Sequence, residues 1–318
     1  FMTTKPRVLQ GGRIPPALSQ RLAEHFDLLE LAAQADRTAF LAAEGATFSG
    51  LVTSAAVGAD AALIAALPNL KVISSFGVGL DKLDVAAAAA RGIAVGYTPD
   101  VLNDCVADLA MALMLDVARR TAEADRWLRT GAWAQPGAAF PLARKVSGAK
   151  LGIVGLGRIG QTIARRAGGF DMAIRYHSRR PVAGVPWSHE PSLLELARWC
   201  DYLVVITAGG AATRHLVNAE VLDALGPEGF IVNVARGSVI DEAALLQALQ
   251  DKRIAGAGLD VFEDEPRVPP AFFALDNVVL LPHIASATKE TRQAMADRVF
   301  DNLASFYETG RLISAAPT

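Results

Sequence analysis

Two kinds of run alternate along the chain. Short apolar runs of strand type lie at residues 7–9, 51–53, 71–74 and 93–96, separated by Ala- and Leu-rich stretches of helical character at 17–24, 59–67 and 85–91. That order predicts a parallel sheet with helices packed on it. Residues 101–129 contain good helix formers with neither Gly nor Pro, which predicts one long helix connecting two lobes. Residues 131–149 break the pattern with Pro136, Pro141 and several Gly and Ala residues, and predict an irregular surface arm. From Lys150 the alternation resumes, with strands expected at 151–155, 173–177, 202–207, 230–234, 256–260 and 278–281. Six strands with intervening helices are the pattern of a doubly wound dinucleotide fold. A last helix, about 288–307, is expected to pack back on the first lobe and make it discontinuous.

Length supports two lobes, because 318 residues exceed what one compact core usually holds. The expected division is 1–100 with 288–318 as one domain and 101–287, including helix and arm, as the other. A cleft between them is where a small-molecule site is expected. The 52% hydrophobic content is spread as short runs, none near the ~20 residues that cross a bilayer. The 31 basic and 33 acidic residues leave a net charge of −2, no footprint for nucleic acid or an anionic membrane. Cys105 and Cys200 lie far apart in apolar segments and suggest neither a disulfide framework nor a Cys-based zinc site. No metal is expected. Without a visible secretion signal, the expected location is the cytoplasm.

The motif Gly155-Leu156-Gly157-Arg158-Ile159-Gly160 follows an apolar run and precedes a helical segment. By itself such spacing also fits a plain glycine turn. Strand before, helix after and a second strand at 173–177 favour dinucleotide binding: Gly155 for a tight turn, Gly157 for a bare backbone against pyrophosphate, Gly160 for close helix packing, with the amides of Arg158 and Ile159 at a helix N-terminus. The expected fold class is therefore α/β, two Rossmann-like doubly wound parallel-sheet domains. An acidic residue closing the second strand would bind the ribose 2′-hydroxyl of NAD. Here that segment reads His177-Ser178-Arg179-Arg180, a hydroxyl and two guanidinium groups suited to the 2′-phosphate of NADP. A solvated basic turn is the competing reading.

Reduction of a 2-oxo acid needs a cation for the carboxylate, a proton donor for the carbonyl oxygen and a hydride. Arg236 closes one apolar strand, the acidic segment from Asp260 to Pro266 closes the next, and His283 closes the last. At these residues the chain resembles the D-2-hydroxyacid dehydrogenase family, within it the glyoxylate/hydroxypyruvate and hydroxyphenylpyruvate reductases. The resemblance also covers Ser75-Phe76-Gly77-Val78-Gly79-Leu80-Asp81, Thr98-Pro99-Asp100-Val101-Leu102 and the glycine motif. It implies that Arg236 binds the substrate, that His283 is the acid/base and that Glu265 pairs with it, holding a proton available near neutral pH. It further implies backbone amides of Val78 and Gly79 for the substrate carboxylate, Ser286 beside His283, Asp260 on the nicotinamide carboxamide, and Thr207, Thr213, Val234 and Ala285 lining the cofactor. The family's usual homodimer follows from the resemblance alone.

The expected activity is thus NADPH-dependent reduction of glyoxylate or hydroxypyruvate to glycolate or D-glycerate. Competing readings are a reductase of phenylpyruvate-type acids, formate chemistry on the same architecture, and a non-enzymatic, nicotinamide-sensing corepressor-like module. His25, His177, His189 and His215 read as surface or packing residues. The loop at 208–213 departs from relatives, which commonly carry a proline and more hydroxyls there.

Overall fold

The computed structural model describes residues 5–317 and divides the chain into two compact units, Phe1–Leu102 with Thr288–Thr318, and Asn103–Ala287. The first unit holds β1 (Arg7–Gln10), α1 (Pro16–His25), β2 (Asp27–Glu30), α2 (Arg37–Glu44), β3 (Gly50–Ser54), α3 (Ala61–Ala65), β4 (Val72–Phe76), α4 (Val85–Ala90) and β5 (Ala94–Gly96). Its strands form one parallel sheet in the order β2-β1-β3-β4-β5. Every residue of β3 and β4 is buried, as expected for central parallel strands covered on both faces. The helices start where a short acidic side chain takes up an orphan amide: Asp36, Asp60 and Asp84 accept from Ala39, Leu63 and Ala87 at 2.9, 2.8 and 2.8 Å. Two elements were not anticipated. β2 is an edge strand whose first and last residues are exposed and charged, and α2 buries no side chain, so neither carries a core pattern.

The second unit opens with α5 (Asn103–Arg119) and α6 (Thr121–Arg129), followed by an irregular segment, β6 (Lys150–Val154), α7 (Arg158–Gly168), β7 (Ala173–His177), β8 (Ser188–His189), α8 (Leu193–Trp199), β9 (Tyr202–Val205), α9 (Ala219–Leu225), β10 (Phe230–Asn233), α10 (Glu242–Gln250), β11 (Gly256–Leu259) and β12 (Val278–Leu280). The single helix expected over 101–129 is corrected to two. Arg120 breaks it in the left-handed region (φ 56°, ψ 36°), at a cost of ~1 kcal/mol for a non-glycine. Its Nε and Nη2 donate to both Glu123 oxygens at 2.7 and 2.8 Å, and its guanidinium lies over the ring of Phe140, 5.2 Å from the centroid. No Gly or Pro marks this break, so propensity alone runs through it.

The strands of the second unit form a parallel sheet ordered β12-β11-β10-β9-β6-β7-β8, a seven-stranded version of the doubly wound order. The expectation of six strands omitted β8, whose two polar residues pair with Arg175 and Tyr176 at the sheet edge. Several expected strands also ran too far: Gly155, Ile206, Thr207, Val234, Asp260 and Leu281 lie beyond the last residue of their ladders. There the chain leaves the sheet to build the loops at the strands' carboxyl ends. Order reverses between β6 and β9, the switch point where open α/β sheets bind ligands.

The chain then returns to the first unit as α11 (Lys289–Thr309), capped by Thr288 and lying against β4 and α1. Ser74 Oγ donates to the Val299 carbonyl at 3.1 Å, and the fully buried Asn302 joins Tyr97 and Ser314. Gly96 allows this approach, since a Cβ there would lie 2.8 Å from Asn302 Nδ2. Among the described residues, no helix is long and apolar enough to cross a membrane, and no group of His, Cys, Asp and Glu could hold a metal.

Candidate active site

The turn between β6 and α7 is made of contacts that exclude side chains. Gly155 has φ +98°, and a Cβ on it would lie 2.7 Å from Thr207 Cα, so the turn rests on the end of β9. A Cβ on Gly160 would meet the Gly155 carbonyl oxygen at 2.2 Å, which brings the first turn of α7 against the same loop. Gly157 differs. It is exposed, a Cβ there would meet no atom within 4 Å, and as N-cap of α7 it offers no side chain to close the helix end. Open space before a helix N-terminus, with no acidic residue in the first turn, suits a pyrophosphate. The nicotinamide dinucleotide implied by the motif fits the residues present.

Beside this turn, the end of β7 is held in place by histidines that look incidental in sequence. The Gly155 amide donates to the His177 carbonyl at 2.9 Å, His177 Nδ1 pairs with the Glu190 carbonyl at 3.0 Å, and His189 Nε2 pairs with the Ser178 carbonyl at 2.9 Å. Ser178 Oγ donates to the Arg180 carbonyl at 2.6 Å, and Arg179 and Arg180 are exposed. Across the switch point Thr207 is half-buried, while Thr213 Oγ1 donates to the Ala208 carbonyl at 2.6 Å and closes the intervening loop. The amide of the buried Val234 donates to the Val205 carbonyl at 3.2 Å.

Three loops at the ends of β10, β11 and β12 bring the expected catalytic residues together. After β10, the buried Asn233 folds its side chain over the turn: Oδ1 accepts from the Ala235 amide and Nδ2 donates to the Arg236 carbonyl, both at 3.0 Å. Arg236 Nη1 donates to the Ala235 carbonyl at 2.8 Å. Gly237 then packs flat on the loop after β11, where a Cβ would overlap the Phe262 carbonyl carbon at 1.9 Å. That loop carries Glu265. Its Oε1 accepts from the Phe262 amide at 3.0 Å, and its Oε2 accepts from His283 Nδ1 at 2.7 Å. Burial pushes the Glu265 carboxyl up, but the His283 hydrogen bond and charge, the Phe262 amide and the Arg236 charge together hold it below its ordinary value.

Asp260 ties the loop after β12 to the end of β11. It has no exposed surface, and its carboxylate accepts from the Ile284 and Ala285 amides at 2.7 and 2.9 Å, while its carbonyl accepts from the His283 amide at 2.9 Å. The Asp260 carboxylate thus clasps the loop that carries His283, whose φ is 53°. Burial raises the Asp260 carboxyl above its ordinary value against the pull of those two amides. Ser286 lies half-buried on the same loop. Val78 and Gly79 belong to the first unit, in the turn after β4, where Gly77 (φ +138°) exchanges hydrogen bonds with the buried Thr98 at 3.0 and 3.1 Å. Sequence reasoning assigned no role to Asn233, although an Asn closing an apolar strand three residues before Arg236 is a signal for such a side-chain turn.

Two outcomes are expected. Gly237→Ala forces the β11 loop away and should cost about 1–3 kcal/mol or more, read as a lowered urea midpoint. For Glu265, a depressed carboxyl contributes stability that is complete above its ordinary value of 4.5 and is lost as pH falls through its folded value. Wild type should therefore exceed Glu265→Gln in urea midpoint at neutral pH, with a smaller gap at an acid pH below 4.5. An equal gap at both pH values would remove the ionised pair from the account.

Comparison with known proteins agrees with this geometry. Residues 111–285 match the D-isomer specific 2-hydroxyacid dehydrogenase, NAD binding domain. A glyoxylate/hydroxypyruvate reductase of Arabidopsis thaliana is 45% identical over 93% of this chain and 94% of its own, and a hydroxyphenylpyruvate reductase of Plectranthus scutellarioides is 46% identical over the same shares. An NADPH-dependent glyoxylate/hydroxypyruvate reductase of Sinorhizobium meliloti, solved with NADP and malonate, superposes with a TM-score of 0.92 at 46% identity, covering 98% of this chain and 97% of that one. With this likeness running through nearly all of its length, the chain belongs to the D-2-hydroxyacid dehydrogenase family and is an oxidoreductase.

Proposed function

We propose that the protein reduces glyoxylate or hydroxypyruvate to glycolate or D-glycerate with NADPH. The observation that carries the reading is the 2.7 Å bond between Glu265 and His283, with Arg236 near enough for its charge to depress the Glu265 carboxyl. Because Nδ1 of His283 is committed to Glu265, Nε2 is the nitrogen left to exchange a proton with substrate. The bound nicotinamide supplies the hydride to the carbonyl carbon. His283 Nε2–H gives its proton to the carbonyl oxygen, and the ionised Glu265 stabilises the protonated ring beforehand. Arg236 offers its guanidinium to the substrate's carboxylate and carbonyl oxygen, polarising the bond under attack. The turn at Val78 and Gly79 provides amides suited to an anion, and Ser286 adjoins His283.

For the cofactor, Ser178, Arg179 and Arg180 would take the 2′-phosphate, and Gly157 with the start of α7 the pyrophosphate. The Sinorhizobium relative, described as NADPH-dependent, supports that choice. A second reading, reduction of phenylpyruvate-type acids, is favoured by the Plectranthus relative. A nicotinamide-sensing module without catalysis is disfavoured because Arg236, Glu265 and His283 are all present. A cytoplasmic homodimer completes the proposal; Trp133 and Leu142, 67% and 97% exposed on the arm, support the dimer.

His283→Ala should lower kcat by about 10²–10⁴, and Arg236→Ala should lower kcat/KM by about 10²–10³ while raising KM for the oxo acid. Near-normal turnover by either variant defeats the mechanism. Assayed on glyoxylate, hydroxypyruvate, pyruvate, phenylpyruvate and hydroxyphenylpyruvate, the wild type should favour the first two with NADPH over NADH, and Ser178→Asp combined with Arg179→Ala should reverse the cofactor order. Equal turnover with both cofactors counts against the assignment of Ser178–Arg180.

A further inference from the structure

Next to the Glu265–His283 pair lies a charged cluster that the proposed chemistry does not use. Glu263 Oε1 accepts from Arg214 Nη2 at 2.7 Å and pairs with His215 Nε2 at 2.9 Å. The Glu263 amide donates to Glu242 Oε2 at 3.0 Å, and the peptide joining Phe262 to Glu263 is the one on which Gly237 rests. His215 has φ 50°, its amide donates to the Ser238 carbonyl at 2.8 Å, and its Nδ1 lies 3.9 Å from Asp241, the N-cap of α10. Arg214 and His215 directly follow Thr213, whose hydroxyl closes the loop after β9. One carboxylate therefore joins the loop read as lining the cofactor to the loop that carries Glu265 two residues later.

We infer that Glu263 is a positioning residue: its bridge to Arg214 and His215 holds the β11 loop in register with the β9 loop and so aims Glu265 at His283. The inference rests on the acid/base reading of the Glu265–His283 pair. Glu263 is three-quarters buried, with 27% of its side chain exposed. Although Arg214 is exposed, His215 is partly buried as well, so the bond between Glu263 and His215 is better shielded from solvent than an ordinary surface pair. The side chain is held from two directions, by a guanidinium and an imidazole, while its own backbone is fixed by Glu242 and by contact with Gly237. Such a four-way hold leaves the loop little freedom to swing Glu265 away from the ring. Loss of the carboxylate frees the loop without touching any group that contacts substrate, so turnover should fall while the substrate's KM stays put.

The test is a double-mutant cycle with Glu263→Gln, Glu265→Gln and both together, following kcat and the two KM values. Glu263→Gln is expected to lower kcat about tenfold, leave the oxo-acid KM within about twofold and produce no further fall in the Glu265→Gln background, since it acts through Glu265. Losses that multiply in the double variant, or a normal kcat for Glu263→Gln beside an impaired Glu265→Gln, overturn the positioning role alone. A normal kcat for Glu265→Gln instead overturns the acid/base reading and this inference with it. If Glu263→Gln does not fold, His215→Gln serves in its place, with about a threefold loss and the same lack of multiplication expected; an unchanged kcat there overturns the inference.

Discussion

A carboxylate sealed away from water, Asp260, is the constraint on which the arrangement at the β10–β12 end depends. Leaving a buried charge without partners is expensive, and its two oxygens are satisfied by the amides of Ile284 and Ala285. The chain after β12 must then turn sharply at Pro282 and His283, and the left-handed backbone of His283 is the conformation that this tether imposes. Once the imidazole is set by its backbone, Glu265 has a fixed target, and Gly237 lets the loop bearing Glu265 lie directly on the turn bearing Arg236. Three residues from three loops thus share one anchor rather than three independent ones.

Two of the carboxylates that follow β11, Asp260 and Glu265, show how environment separates roles. Both are driven upward by burial. Asp260 stays above its ordinary value because neutral amides only partly offset that burial, whereas Glu265 falls below its own because cations face it. The first serves architecture and the second faces an exchangeable proton, a division that residue type cannot convey.

Much of this was legible in the order of apolar runs and the glycine spacing. The strand that feeds the glycine turn, β7 and the discontinuous first unit follow from patterns that repeat every few residues, whereas the grouping of Arg236, Glu265 and His283 was implied by the resemblance to the family. What escaped has a common cause: it depends on partners distant in sequence. The break at Arg120 is held by Glu123 and Phe140 rather than by a glycine or proline. The edge strands β2 and β8 are short, β2 begins and ends on exposed charged residues and β8 holds only Ser188 and His189, so neither stands out as an apolar run. The clasp made by Asp260 left no local mark, since its amide partners lie twenty-four and twenty-five residues ahead. His215 looked incidental until Glu263, forty-eight residues away, was placed beside it.

The segment from His177 to Arg180 sits across the switch point from the catalytic loops, with β6 and β9 between its strand and β10. Its anchors are local, the Glu190 carbonyl, His189 and the Gly155 amide, and Asp260, Glu263 and Gly237 are not among them. On the function proposed above, nucleotide preference and acid–base chemistry occupy separable modules of one sheet. Substitutions can accumulate in the first without disturbing the second, which gives this scaffold room to change its redox partner over evolution while keeping its reaction.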